Sequence, residues 1–160
     1  MKRLALGLAL LAGPAAAARD ALGVYDGWGA FRDAAPLRCF AIAEPQRKGH
    51  ASWRPFAAVS HWPLQRIRGQ VHVRLSRETR AGAPVTLGID GRRFPIVAGG
   101  ADAWAPDPRT DAAIVAAMRS GRSMSISTVA ANGSSFVDSY ILKGAATAID
   151  AAALGCARGR

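Results

Sequence analysis

The stretch from Arg122 to Gly155 constrains the fold more than any other, because an Asn132-Gly133 pair sits at its pivot. Asn-Gly accepts the positive φ angles of a type I′ two-residue turn, so Ala131 is expected to pair with Ser134. Counted outward, that register sets Thr128 against Val137, Ile126 against Ser139 and Met124 against Ile141, with the apolar side chains of both strands on one sheet face. Lys143-Gly144 then leads into an alanine-rich segment, Ala145 to Leu154, read as a helix stopped by Gly155 just before Cys156. A second hairpin signal, Asp90-Gly91, lies between Val85–Ile89 and Arg93–Val97. With those two residues as the loop, Leu87 faces Phe94 and Val85 faces Ile96.

Three more strands are expected upstream. Leu37 to Ala43 carries Cys39 between two prolines, and Ser52 to Trp62 follows, with Pro55 marking an edge or a bulge because it lacks the ladder donor. Val71, Val73 and Leu75 alternate with His72, Arg74 and Ser76, the period of a strand with one buried face. Downstream of the second hairpin, Asp107 with Pro108, or Thr110 with Asp111, can start a helix that buries Ile114, Val115 and Met118 and stops at Gly121. Arg19 to Asp26 reads as a mobile leader, since little in it can be buried. Trp28, among glycines, is either an exposed ligand platform or a plug over the open end of a sheet, and aromatic dominance of core packing favours the plug. Short strands, tight hairpins and two short helices make this a mainly β chain, an antiparallel β-sandwich with a small open barrel as the alternative.

Residues 1–18 show a basic start at Lys2 and Arg3, an apolar run from Leu4 to Leu11, and an Ala16-x-Ala18 cleavage signature. This is the pattern of a signal peptide, and the apolar run falls short of the roughly 20 residues of a membrane span. The expectation is a periplasmic or secreted protein with no integral membrane segment after cleavage, and one domain over 19–160. An oxidising compartment would bridge Cys39 to Cys156, and closing so long a loop stabilises a fold by about 4–5 kcal/mol on a chain-entropy basis. The net charge of +10 drops by two, to +8, when Lys2 and Arg3 leave. Outside the cytoplasm that charge favours an anionic polysaccharide, lipopolysaccharide or a host-surface component over nucleic acid, although arginine-rich coding explains it equally well.

No residue pattern singles out catalysis. His50, His61 and His72 stand eleven apart without the short spacing of a zinc site, so no metal site is expected. Asp102, Asp107 and Asp111 cluster, but helix capping accounts for two of them. Ser134, Ser135 and Ser139 lie in or beside a hairpin without a Gly-x-Ser-x-Gly elbow. No cofactor is expected. The best surface candidate joins Trp53 and Trp62 to Arg54, Arg66, Arg68, Arg74 and Arg77. Guanidinium groups bind sulfate, phosphate or carboxylate in a two-pronged geometry, and an exposed indole stacks on a sugar or a cation. The competing account makes both tryptophans core and the arginines a solvated face.

Taken together, several segments resemble the invasion-associated locus B family: Gly27-Trp28-Gly29-Ala30-Phe31 ahead of Cys39, the Val85 to Ile96 hairpin, Trp104 before the run from Asp111 to Gly121, and Asp138 to Gly144 before the alanine-rich helix. The resemblance covers nearly the whole chain after residue 18, and order and spacing carry it. It implies an immunoglobulin-like β-sandwich exported to the periplasm or envelope of a Gram-negative bacterium. In some pathogens the family is linked to entry into host cells, which adds a virulence-related expectation. The family supplies no established catalytic or ligand-binding motif, so no functional residue carries over. The expected function is a non-enzymatic binding or interaction module. A hydrolase-like or metal-dependent activity on an envelope substrate is the alternative, and a purely structural envelope role the third.

Overall fold

Alternating apolar side chains build ten strands and two helices over residues 19–47 and 52–157, which the computed structural model describes. The expected signal peptide and His50 lie outside the described residues. The strands are β1 (Arg19–Tyr25), β2 (Trp28–Ala34), β3 (Leu37–Ala43), β4 (Phe56–Trp62), β5 (Ile67–Arg74), β6 (Val85–Ile89), β7 (Arg92–Gly99), β8 (Asp102–Trp104), β9 (Ser123–Val129) and β10 (Ser135–Ile141). Helix α1 spans Pro108–Ser120 and α2 spans Ala145–Ala157. Every neighbouring pair is antiparallel, in the order β1-β2-β3-β4-β5-β8-β7-β6-β9-β10.

Strand β7 turns this ladder into two layers. Its first part, Arg92 to Ile96, pairs with β6, and its last part, Val97 to Gly99, pairs with β8. A strand that changes partners in this way makes the corner between two packed sheets. The larger sheet contributes Trp28, Ala41, Val59, Val73 and Ala103 to the core, and the smaller sheet contributes Leu87, Ile96, Ile126, Met124 and Tyr140. This is the expected antiparallel β-sandwich with two helices. The Asp90-Gly91 hairpin has the predicted register, with Leu87 opposite Phe94 and Val85 opposite Ile96, and both turn residues take positive φ.

The Asn132-Gly133 hairpin is shifted by one residue from the prediction. Thr128 faces Phe136, Ile126 faces Asp138 and Met124 faces Tyr140. Ala130 and Ser134 close a three-residue loop, in which Gly133 N–H donates to Ala130 O at 2.8 Å and Gly133 has φ +85°. That is a type I turn followed by a left-handed residue, the three-residue alternative for hairpins. Because side chains alternate, the shift exchanges faces: Phe136, Asp138 and Tyr140 are buried, while Val137 and Ile141 are exposed. Burial of Asp138 is compensated by Ser76, whose N–H and hydroxyl donate to its two carboxylate oxygens at 2.8 and 2.5 Å.

Three other expectations need correction. The Arg19–Asp26 leader is an edge strand, hairpinned to β2 so that Tyr25 pairs with Trp28, with Leu22 and Tyr25 packed on the core. Helix α2 runs through Gly155 to Ala157, and Gly155 serves contact: a Cβ there would meet Leu22 Cδ1 at 2.5 Å. Strand β4 begins at Phe56, after Pro55, since it lies inside the sheet, where every N–H is needed. Trp28 is the expected plug, fully buried, with its indole N–H on Ile141 O at 2.9 Å.

The helices cover the inner side of the larger sheet. Helix α2 packs on β1, β2, β3 and β4 and is bonded to β3 through Cys39–Cys156. Helix α1 lies along β5, where Asp111 accepts a hydrogen bond from Val71 N–H at 2.8 Å, a donor that three-residue β8 is too short to reach. Asp107 caps α1 by accepting from Thr110 N–H at 2.8 Å. Replacing both cysteines by serine (C39S/C156S) is expected to lower the unfolding free energy by about 4–5 kcal/mol, read as a lower urea midpoint with a steeper slope, because the released denatured chain exposes more surface.

Candidate functional site

Both helices and the smaller sheet lie against one side of the larger sheet, and among the described residues no helix or sheet covers the opposite side. The alternation of β2, β3, β4, β5 and β8 sets a row of side chains across that outer face, Gly29, Ile42, Ala58, His72 and Trp104, continued by Val97 of β7. Aromatic and guanidinium groups gather at both ends of this face.

At the Phe56 end, His72 is the centre. Its ring stacks on Trp104 with centroids 5.0 Å apart and planes 3° from parallel, and Phe56 meets it edge-on at 5.1 Å. His72 Nε2 is 2.9 Å from Asp102 Oδ1, and Arg74 Nη1 donates to Asp102 Oδ2 at 3.4 Å. Arg74 also lies 5.6 Å from the Trp53 ring, whose indole N–H donates to Leu75 O at 2.8 Å. Arg54 pairs with Glu44. The face is therefore lined by rings whose orientations are fixed by hydrogen bonds and by one another, with Trp104 still exposed.

At the Trp62 end, the Arg38 guanidinium sits 4.1 Å from the Phe40 ring centroid and 5.1 Å from that of Trp62. Asp33 accepts from Arg38 at 3.0 Å and from Arg19 Nε at 2.7 Å, and those hydrogen bonds, Arg19 first, hold its carboxyl below the usual carboxylate range. Trp62 N–H donates to Gln70 Oε1 at 3.1 Å. Phe56 and Trp62 are the two ends of β4, six residues apart, or about 20 Å at 3.3–3.4 Å per residue.

The structure thus divides the predicted group. Trp53 and Arg74 come together, and Trp62 stands at the far end. Arg66 occupies a left-handed turn position, φ +58°, at the tip between β4 and β5. A register irregularity after Ser60 carries Arg68 to the α2 side, where it lines a cavity of about 180 Å³ with His61, Ile67 and Cys156. Arg77 turns toward the β9–β10 hairpin, donating to Ser134 Oγ at 3.2 Å. Sequence reasoning missed His72 with Asp102 and Trp104, and Arg38 with Phe40. Outward alternation marks each one, but only strand pairing shows which strands are neighbours.

The other candidate groups separate too. Asp102, Asp107 and Asp111 serve a histidine, a helix cap and a strand N–H respectively. Among the described residues no three His, Cys, Asp or Glu side chains are grouped to hold a metal ion, and no helix is long and apolar enough to cross a membrane. Ser134 hydrogen-bonds Asn132 within the hairpin turn. Burial, and then Asp138, raises the Tyr140 hydroxyl pKa, so that phenol stays protonated.

A family model described as "Invasion associated locus B (IalB) protein" matches residues 32–153. No curated protein and no solved structure matches the chain.

His61 predicts a pH dependence. Burial first, then Arg68 and Arg119, lower its pKa below the ordinary 6.5. The unfolded chain therefore takes up this proton more readily than the folded one, and stability falls as pH drops through about 6.5 toward the lowered folded value. The carboxylates with lowered values, Asp33, Asp90, Asp107 and Asp150, act only further down, around and below 3.8. Urea midpoints compared at pH 7 and pH 5 are expected to converge in His61→Gln relative to the parent.

Proposed function

The chain belongs to the invasion associated locus B family, and we propose that it works as an exported, non-enzymatic binding protein of the periplasm or cell exterior. Its ligand in this reading is an acidic glycan, either envelope lipopolysaccharide or an anionic polysaccharide of a host surface. The contact is made by the outer face of the larger sheet, at the cluster of Trp53, Arg74, His72 and Trp104.

The observation that carries this reading is the alternation of rings and guanidinium groups on the outer face of the larger sheet, which neither helix covers. A guanidinium held beside a ring has lost part of its freedom before the ligand arrives, which lowers the ordering cost of binding. Its remaining donors match phosphate, sulfate or carboxylate in a fork geometry. The exposed Trp104 ring, kept in its plane by His72, offers a flat apolar surface to a sugar. The surplus of arginine and lysine over acids draws polyanions to the molecule from a distance, in a salt-dependent way. A non-enzymatic role is consistent with the engagement of His72 Nε2 by Asp102 and of the ring by two aromatic neighbours.

Binding to immobilised lipopolysaccharide and to heparin tests the reading. We expect retention that weakens from low to physiological salt, and a further loss of about tenfold or more in Trp53→Ala with Arg74→Ala. Arg68→Ala, on the α2 side, is expected to change the salt dependence only slightly. Retention indifferent to salt and to the Trp53 and Arg74 substitutions would remove the proposal.

A further inference from the structure

The smaller sheet has an uncovered outer face of different character. Strand β9 directs Ser123, Ser125 and Ser127 outward, and the registers set Ser127 beside Thr86 and Ser125 beside Gly88. Serine and glycine are poor strand formers, so three outward serines next to a glycine lack the branched and aromatic side chains that usually stabilise such a surface. Their small size leaves a trough of about 450 Å³, within the range of small-ligand sites. Its floor is Gly88, where even a Cβ would approach Ser125 Oγ to 3.2 Å.

The walls differ on the two sides. Arg93 rises from β7 directly across from Gly88, while Arg92, opposite inward-facing Ile89, lays its guanidinium 5.2 Å from the centroid of the buried Phe94 ring. On the other side β10 places Val137 opposite Ser127 and Ile141 opposite Ser123, both well exposed. The acid in the trough, Asp90, is engaged elsewhere: it accepts from Arg122 N–H at 2.9 Å, from Ser123 N–H at 3.2 Å and from Ser123 Oγ at 3.4 Å. Among the described residues, Arg92 and Arg93 pair with no carboxylate, and the hydroxyls of Thr86, Ser125 and Ser127 make no hydrogen bond.

We infer that this trough is a second binding site, for a short anionic saccharide whose phosphate or sulfate group rests on Arg93 and whose hydroxyls meet Thr86, Ser125 and Ser127. Rotatable hydroxyls both donate and accept, as sugar hydroxyls do, so a row of them fits a polyol without demanding one hydrogen-bond pattern. The Arg93 guanidinium supplies the charge preference. The exposed Val137 and Ile141 flank the row on its apolar side. This site is independent of the one on the larger sheet, because the two lie on opposite outer faces of the sandwich.

Amide chemical-shift titration of the isotope-labelled protein tests it, with glucose 6-phosphate, a sulfated heparin-type disaccharide, glucose and inorganic phosphate as probes. At least one of the two anionic sugars is expected to shift Gly88, Ser123, Ser125 and Ser127, and which one binds more tightly identifies the anion. Arg93→Ser should weaken that binding about tenfold or more, since hydrogen bonds to a charged group are lost. Gly88→Val should block the floor, and Trp53→Ala with Arg74→Ala should leave the titration unchanged. Equal binding of glucose, equal shifts from inorganic phosphate alone, or shifts confined to Trp53, His72 and Trp104 would each overturn the inference. Retention of the parent melting temperature by the Arg93 variant separates lost binding from lost folding.

Discussion

The hydrogen bond from the Trp28 indole to the carbonyl oxygen of Ile141 joins segments 113 residues apart and closes the sandwich on the side away from β7. On one side the two sheets are continuous, because β7 passes from one to the other. On the other side they meet through side chains, and Trp28 is the largest of those that are fully buried. Ser76 on Asp138 and Gln46 N–H on Ser139 O, at 2.8 Å, reinforce the same seam. With the seam closed, the smaller sheet and both helices take up the inner side of the larger sheet. The outer face of the larger sheet is left free to bind.

The residues behind the family resemblance fall mostly on this closure rather than on a surface. Trp28, Asp138 and Tyr140 point inward, and Asp111, though only partly buried, spends its carboxylate on Val71 N–H. Burial, the first of the influences on Asp111, raises its pKa even though the Val71 hydrogen bond pulls the other way. The pattern common to the segments is therefore mostly one of architecture; exposed Trp104 and the Arg92 and Arg93 pair belong to it, while Trp53, His72 and Arg74 stand outside it.

Local signals were legible where the turn admitted one geometry. Asp90-Gly91 fixed its hairpin, and of the two starts open to α1 the structure takes Asp107 with Pro108. Asn132-Gly133 permitted two loop lengths, and the choice between them rested on burying Phe136 and Tyr140 in place of Val137 and Ile141. A buried Asp138 argued against that choice until Ser76, far away in the chain, supplied its partners. Asp26-Gly27 is an Asp-Gly pair like the one at Asp90, and weighting it equally would have turned the supposed leader into β1. The surface was harder to read. Trp53 and Arg74 could be grouped, but Trp104 reaches His72 only through the β5–β8 pairing, and Arg68 leaves the face because of an extra residue in β5, which Gly69 with its φ of +71° marks.

The seam has one more effect, on how chains meet one another. An outermost strand with free carbonyls is a template on which another chain can be laid, and long exposed ones grow into fibrils. Here the carbonyls of Ser139 and Ile141 on β10 already have donors in Gln46 and Trp28. At the opposite margin, β1 is broken by an irregularity between Ala21 and Gly23 and begins with the charged pair Arg19 and Asp20. Among the described residues, the sheet of ten strands thus ends with two rim carbonyls of β10 engaged and with β1 interrupted, which blunts both rims as seeds for stacking.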